Sequence, residues 1–123
     1  MEFDCLSKEI IGCAIEVHRI LEPGLLESSY EECLLFELLN KRHNVDRQVA
    51  VPIIYKGIKL DCGYRIDLLV ENKIILELKS LECIAPIHYA QILTYMKWAQ
   101  KKTGLLINFN VTVLKNGLKR FVL

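Results

Sequence analysis

Tyr64-Arg65-Ile66-Asp67-Leu68-Leu69-Val70-Glu71-Asn72-Lys73-Ile74-Ile75-Leu76-Glu77-Leu78-Lys79-Ser80 is the stretch that decides the fold. Two β-prone apolar runs flank a short polar turn, and Asp67, Glu77 and Lys79 sit inside the runs. Near the turn both faces are apolar, the pattern of central strands covered on both sides. Side chains alternate along a strand, so Glu77 and Lys79 share a face. If Glu71-Asn72-Lys73 is a three-residue loop, Val70 pairs with Ile74, Asp67 lies opposite Glu77, and Arg65 lies opposite Lys79. A two-residue loop would set Asp67 opposite Leu78 and send the carboxylates to opposite faces.

Upstream, Leu6, Ile10, Cys13, Ala14, Val17 and Leu21 recur at helical spacing over residues 6–21, and Pro23-Gly24 ends that helix. A second helix is predicted over 26–42, with Leu34, Leu35, Leu38 and Leu39 as its buried stripe. Ser28-x-x-Glu31 and Ser29-x-x-Glu32 both match a capping box. Strands are predicted over 45–55, where Pro52 suggests an edge or bulge, and over 58–70 and 74–81. Pro86 suits the first turn of a third helix that reaches about Lys102, and Thr103-Gly104 breaks it. A buried strand follows over 105–109. Segments 111–114 and 118–123 flank Asn116-Gly117, a hairpin signal. The order α-α-β-β-β-α-β-β predicts an α/β fold with a central mixed sheet flanked by helices, and residues 1–123 read as one domain.

The chain has 123 residues, 52% of them hydrophobic, and a mean hydropathy of +0.25. That predicts a well-filled core together with an apolar homodimer surface. There is no apolar run long enough to span a membrane, and Met1-Glu2-Phe3-Asp4 does not resemble a signal peptide. Cys5, Cys13, Cys33, Cys62 and Cys83 are odd in number and contain no C-x-x-C pair, so they read as reduced core residues of a cytoplasmic protein. A net charge of +1 argues against nucleic-acid binding through bulk charge. Local patches are Lys41-Arg42-His43 with Arg47, Lys97 with Lys101 and Lys102, and Lys115 with Lys119 and Arg120; ordinary solvated faces explain them equally well.

Charges inside apolar strands are costly unless something pairs with them, and two carboxylates on one face also repel each other. A divalent cation removes both objections. Magnesium takes hard oxygen ligands and keeps several waters, so two carboxylates and a main-chain carbonyl, here that of Leu78, suffice. An acid–acid–lysine cluster around such an ion is an arrangement that cleaves phosphodiesters, with Lys79 orienting the attacking water or neutralising charge at phosphorus. The structural alternative pairs Glu77 with Lys79, or Arg65 with Asp67, as simple neighbours at a sheet edge.

Asp67 followed by Glu77-x-Lys79 on the next strand resembles the PD-(D/E)XK nuclease superfamily. Gln91-Ile92-Leu93-Thr94-Tyr95 is similar to its Q-x-x-x-Y signature, and Gly24-Leu25-Leu26-Glu27-Ser28-Ser29-Tyr30 fits the G-x-x-E-x-x-Y pattern of the small proteins named for it. The resemblance covers nearly the whole chain; Ile66 stands where many members have proline. It implies a restriction-endonuclease-like core in which Asp67 and Glu77 hold Mg²⁺ (or Mn²⁺), Glu27 completes the site directly or through water, and Lys79 and Gln91 join the catalytic set. Tyr95 and Tyr30 support it, although Tyr30 also reads as a packing aromatic with a satisfied hydroxyl. The implied partner is nucleic acid, DNA ahead of RNA. A catalytically silent nucleic-acid-binding or protein-interaction module keeping the same fold is the alternative. A Lys79 Schiff-base enzyme is disfavoured because carboxylate neighbours stabilise the charged amine.

Overall fold

The computed structural model describes residues 4–123. Asp4 caps the first helix, α1 (Cys5–Leu21), by accepting the Ser7 amide at 2.7 Å. Ile10, Cys13, Ala14 and Val17 form its buried stripe, as the spacing predicts. The second helix, α2 (Glu27–Asn40), buries Tyr30, Leu34 and Leu38, whereas Leu39 is exposed. Neither predicted capping box forms. Glu31 and Glu32 instead reach the Arg47 guanidinium at 2.9 and 2.6 Å, and a charge-assisted bond is stronger than one to a neutral amide.

Each of the two long strands predicted over 45–70 is divided. The first becomes β1 (Val45–Ala50) and β2 (Ile53–Tyr55), because Pro52 has no amide to donate. The second becomes β3 (Ile58–Leu60) and β4 (Arg65–Val70), separated by a turn at Gly63 (φ 83°) in which Asp61 accepts the Gly63 amide. β2 and β3 form a separate hairpin. The chain continues through β5 (Ile74–Lys79), α3 (Pro86–Ala99), β6 (Thr103–Asn108), a 3-10 turn (Leu114–Gly117) and β7 (Leu118–Val122). Gln100, in the left-handed conformation, closes α3 earlier than predicted.

The main sheet has the order β1-β4-β5-β6-β7, with β5 and β6 parallel and the other pairs antiparallel. α1 and α2 cover one face over Leu68, Val70, Leu76 and Leu105, while α3 covers the other through Ile92 and Met96 over Ile66, Ile75 and Leu106. This two-sided cover is why β4 and β5 read as almost unbroken apolar runs. The hairpin predicted around Asn116-Gly117 does not form. β7 pairs with β6 instead, from Thr103↔Val122 to Ile107↔Leu118, and Leu114 is buried in the α1/α2 core. Gly117 serves close approach: a Cβ there would land on the Asn108 carbonyl oxygen.

Cys13 is buried and Cys33 half-buried, but Cys5, Cys62 and Cys83 are exposed, against the expectation that all five sit in the core. Among the described residues no helix is long and apolar enough to cross a membrane.

Gly117→Ala is expected to cost about 1–3 kcal/mol, because rigid backbone must move. Gly104→Ala should cost less, since its Cβ would meet the movable Met96 Sδ at 2.8 Å. Urea midpoints of the two variants check the ranking.

Candidate active site

The loop after β4 has three residues. Val70 pairs with Ile74, Leu69 with Ile75 and Leu68 with Leu76; Glu71 and Asn72 take positive φ, and the Lys73 amide closes onto the Val70 carbonyl at 2.9 Å. Beyond Leu68↔Leu76 the strands part. There the Asp67 amide donates to Glu77 Oε1 at 3.3 Å, and the Leu78 amide donates to Asp67 Oδ2 at 2.8 Å. Each carboxylate thus takes a main-chain amide of the opposite strand, which brings the two acids together. The neighbour pairings of the structural alternative are not realised. Arg65 turns to Asp61 at 3.2 Å, and among the described residues no basic group lies within 4.0 Å of Asp67 or Glu77.

Glu77 is buried, and burial, followed by the charge of Asp67, pushes its carboxyl up to about 8. Burial raises Asp67 as well, against the lowering effect of the Leu78 amide. Lys79 lowers both, but in neither does it outweigh burial. The donor set is therefore two hard oxygen groups, Glu77 buried and Asp67 half-buried, with no basic side chain against them. A divalent ion fits that need, and Mg²⁺ is commonly held by one or two carboxylates.

Glu27 is exposed in the first turn of α2, and its charge raises both acids. It is not gathered with them: no three His, Cys, Asp or Glu among the described residues form a metal-holding group. The loop before it is anchored to the end of β5, where Ser80 Oγ donates to the Leu25 carbonyl at 2.6 Å. Tyr30 shapes the same loop. Its ring stacks on Phe109 (4.5 Å between centroids), its hydroxyl donates to the Glu22 carbonyl at 2.6 Å, and the Leu25 amide donates to that hydroxyl at 3.1 Å.

Lys79, Gln91 and Tyr95 line a cleft of about 530 Å³ between α3 and the segment carrying Val51, Ile53 and Tyr64. Gln91 Nε2 donates to the Tyr95 hydroxyl at 3.0 Å. Neither acid is part of the cleft wall, but Tyr95 links the two regions: burial and then the Glu77 charge raise its phenol. His18 and His88 are committed elsewhere, His18 to the Val111 carbonyl and His88 to the Ala85 amide.

Three further residues hold the site together. Gln48, in β1, sits between the pairs Arg47↔Leu68 and Val49↔Ile66 without a ladder partner, at φ 51°. Its amide reaches Glu31 at 2.9 Å, and the Glu31 charge in turn raises Asp67. The sequence signal for Glu31 is an acid in register with the buried stripe of Leu34 and Leu38. Asn108, the lone amide in an apolar run, lies beside Lys79 in the sheet and exchanges hydrogen bonds with the Leu81 backbone at 2.9 and 3.0 Å. Within the basic patches Arg47 meets Glu31 and Glu32, His43 lies near Glu9 and Glu71, and Arg120 meets Asp4, whereas the lysines there form no ion pair among the described residues.

The mixed sheet with helices on both faces and the paired strand carboxylates are those of a restriction-endonuclease-like fold. A sequence model of the PD-(D/E)XK nuclease superfamily matches residues 4–121, and the chain belongs to that superfamily, whose nucleases generally use divalent metal ions. Comparisons with curated proteins and with solved structures gave no match.

Without divalent cations, stability is expected to fall as pH rises from about 5 to 9. The folded state keeps the Glu77 proton up to about 8 while the unfolded chain releases it near the ordinary glutamate value of 4.5, so folded protein binds more protons in between. The loss is on the order of 3–5 kcal/mol. Melting curves in EDTA should show it, and Glu77→Gln should flatten the dependence.

Proposed function

We propose that the chain is a metal-dependent nuclease, or a subunit of one, that hydrolyses phosphodiester bonds of DNA, and that it is one of the small GxxExxY proteins. The observation that carries this reading is the pairing of the buried Glu77 with the half-buried Asp67, which has no cationic side chain against it and lies one alternation of β5 from Lys79. Asp67 and Glu77 would hold Mg²⁺ or Mn²⁺, with the Leu78 carbonyl as a further oxygen and Glu27 acting directly or through water. Once bound, such an ion supplies Lewis acidity toward a phosphate oxygen and lowers the pKa of a bound water. Lys79 lines the cleft and would offset the charge that builds on the phosphate. Gln91 holds the Tyr95 hydroxyl and lines the same wall, positioned to meet the strand.

The net charge of +1 and the small size of the chain favour a second reading, a catalytically silent nucleic-acid-binding or protein-interaction module. A homodimer in the cytoplasm belongs to the first reading. Exposed Leu26, Phe36 and Leu39 support the dimer, and sedimentation at micromolar concentration tests it.

Lys79→Ala is expected to lower cleavage on the order of a hundredfold or more while leaving Mg²⁺ binding by calorimetry nearly intact, because an ammonium is no ligand. Asp67→Asn should lose binding and cleavage together. Lys79→Arg should restore little, as a planar fork does not replace a compact point charge. Cleavage at the wild-type rate by Lys79→Ala would remove the proposed mechanism.

A further inference from the structure

The cleft beside Lys79 has unusual walls for a site that meets a polyanion. Tyr64 and the half-buried Trp98 contribute aromatic rings beside the buried Tyr95, and Ile53 and Ile87 extend the apolar surface. Tyr64 is 43% exposed and Ile87 69% exposed, so these groups face solvent. The Tyr64 and Tyr95 rings are tilted at 57° with centroids 6.1 Å apart, so they are not stacked on each other. Among the described residues lining the cleft, Lys79 is the one lysine or arginine. On its outer side the wall continues into the β2–β3 hairpin, with exposed Tyr55 under Lys56.

A duplex presents phosphates and hides its base faces, which matches a surface rich in cations. This cleft is the opposite, rich in rings and poor in charge. Its volume of about 530 Å³ is that of a small-molecule pocket. An unpaired nucleotide offers what the walls lack: a flat base for the rings and a single phosphate for Lys79.

We infer that the cleft between α3 and the β2 segment receives an unpaired nucleotide of a DNA strand, so that the substrate is single-stranded DNA or a duplex with an unpaired stretch. The inference rests on the nuclease reading of the same site and names its substrate class.

Trp98 is the chain's single tryptophan and lines the cleft, so its fluorescence reports occupancy. The full chain in EDTA is titrated with a short oligothymidylate and with a blunt duplex of the same length. Saturable quenching by the oligothymidylate is expected, with at least roughly tenfold weaker binding of the duplex. Tyr64→Ala should weaken oligothymidylate binding roughly tenfold or more, the scale of one lost base–aromatic stack, and Tyr64→Phe should bind like wild type. The Tyr64 main-chain carbonyl accepts the Val51 amide, a bond that the variant keeps. Equal binding of duplex, or unchanged binding by Tyr64→Ala, overturns the inference. A Mg²⁺ cleavage assay on both substrates separates the two claims. Selective quenching without cleavage upholds the cleft and removes the nuclease. Cleavage with equal binding of duplex upholds the nuclease and removes the cleft.

Discussion

The repulsion between two neighbouring carboxylates, the buried Glu77 and the half-buried Asp67, is the constraint around which the rest of this fold is arranged. Leaving water and facing a like charge both oppose ionisation, and together they hold the Glu77 proton to about 8. Such a site persists only if the surrounding burial outweighs it. Leu68, Val70, Ile74, Ile75, Leu76 and Leu78 are all nearly inaccessible on the two strands that carry the acids. At about 1.5–3 kcal/mol per side chain, their burial contributes on the order of 10 kcal/mol, more than the few kcal/mol of destabilisation at the acids. The three-residue loop makes the same apolar pairing the one that aligns Asp67 with Glu77, so the core and the site are set by one register.

Beyond the point where the ladder stops, other contacts take over. The Phe109 amide holds the Lys79 carbonyl at 2.9 Å, Asn108 holds Leu81, and Ser80 holds Leu25. The main chain at the end of β5 is thereby fixed from two sides, while the Lys79 ammonium stays free of ion pairs among the described residues. On the other flank, Gln48 keeps a backbone conformation that costs a non-glycine residue on the order of 1–3 kcal/mol. Its bond to Glu31, itself bound to Arg47, fixes that geometry next to Asp67. Backbone strain and the buried charges thus fall at the same place, where strained backbone in proteins clusters with function.

What was legible in the sequence was local. The α1 stripe, the proline at the start of α3 and the β4–β5 register all follow from periodicity or from one short loop. Asp67 and Glu77 could be brought together on paper because a single turn separates them. Contacts between distant segments were not legible. Glu31 looked like a cap until Arg47 and Gln48, from another element, claimed it. Asn116-Gly117 looked like a hairpin turn, but the exposed edge of β6 captured β7, and the glycine serves a close approach to Asn108. Residues 45–55 and 58–70 have strand composition throughout. Pro52 and the Gly63 turn divide them, which frees the β2–β3 hairpin from the main sheet.

The distribution of charge bears on how such a chain meets nucleic acid. Its net charge is +1, and Arg47, Arg65 and Arg120 each face a nearby acid. Long-range attraction to a phosphate backbone is therefore weak, since binding of that kind depends on many cations released to many phosphates. Affinity must then come from contacts that do not depend on bulk field: base stacking, shape, and a few charges placed at the scissile bond. The aromatic cleft and Lys79 supply the first and the last of these on one wall, and Tyr95 joins that wall to the acids behind it.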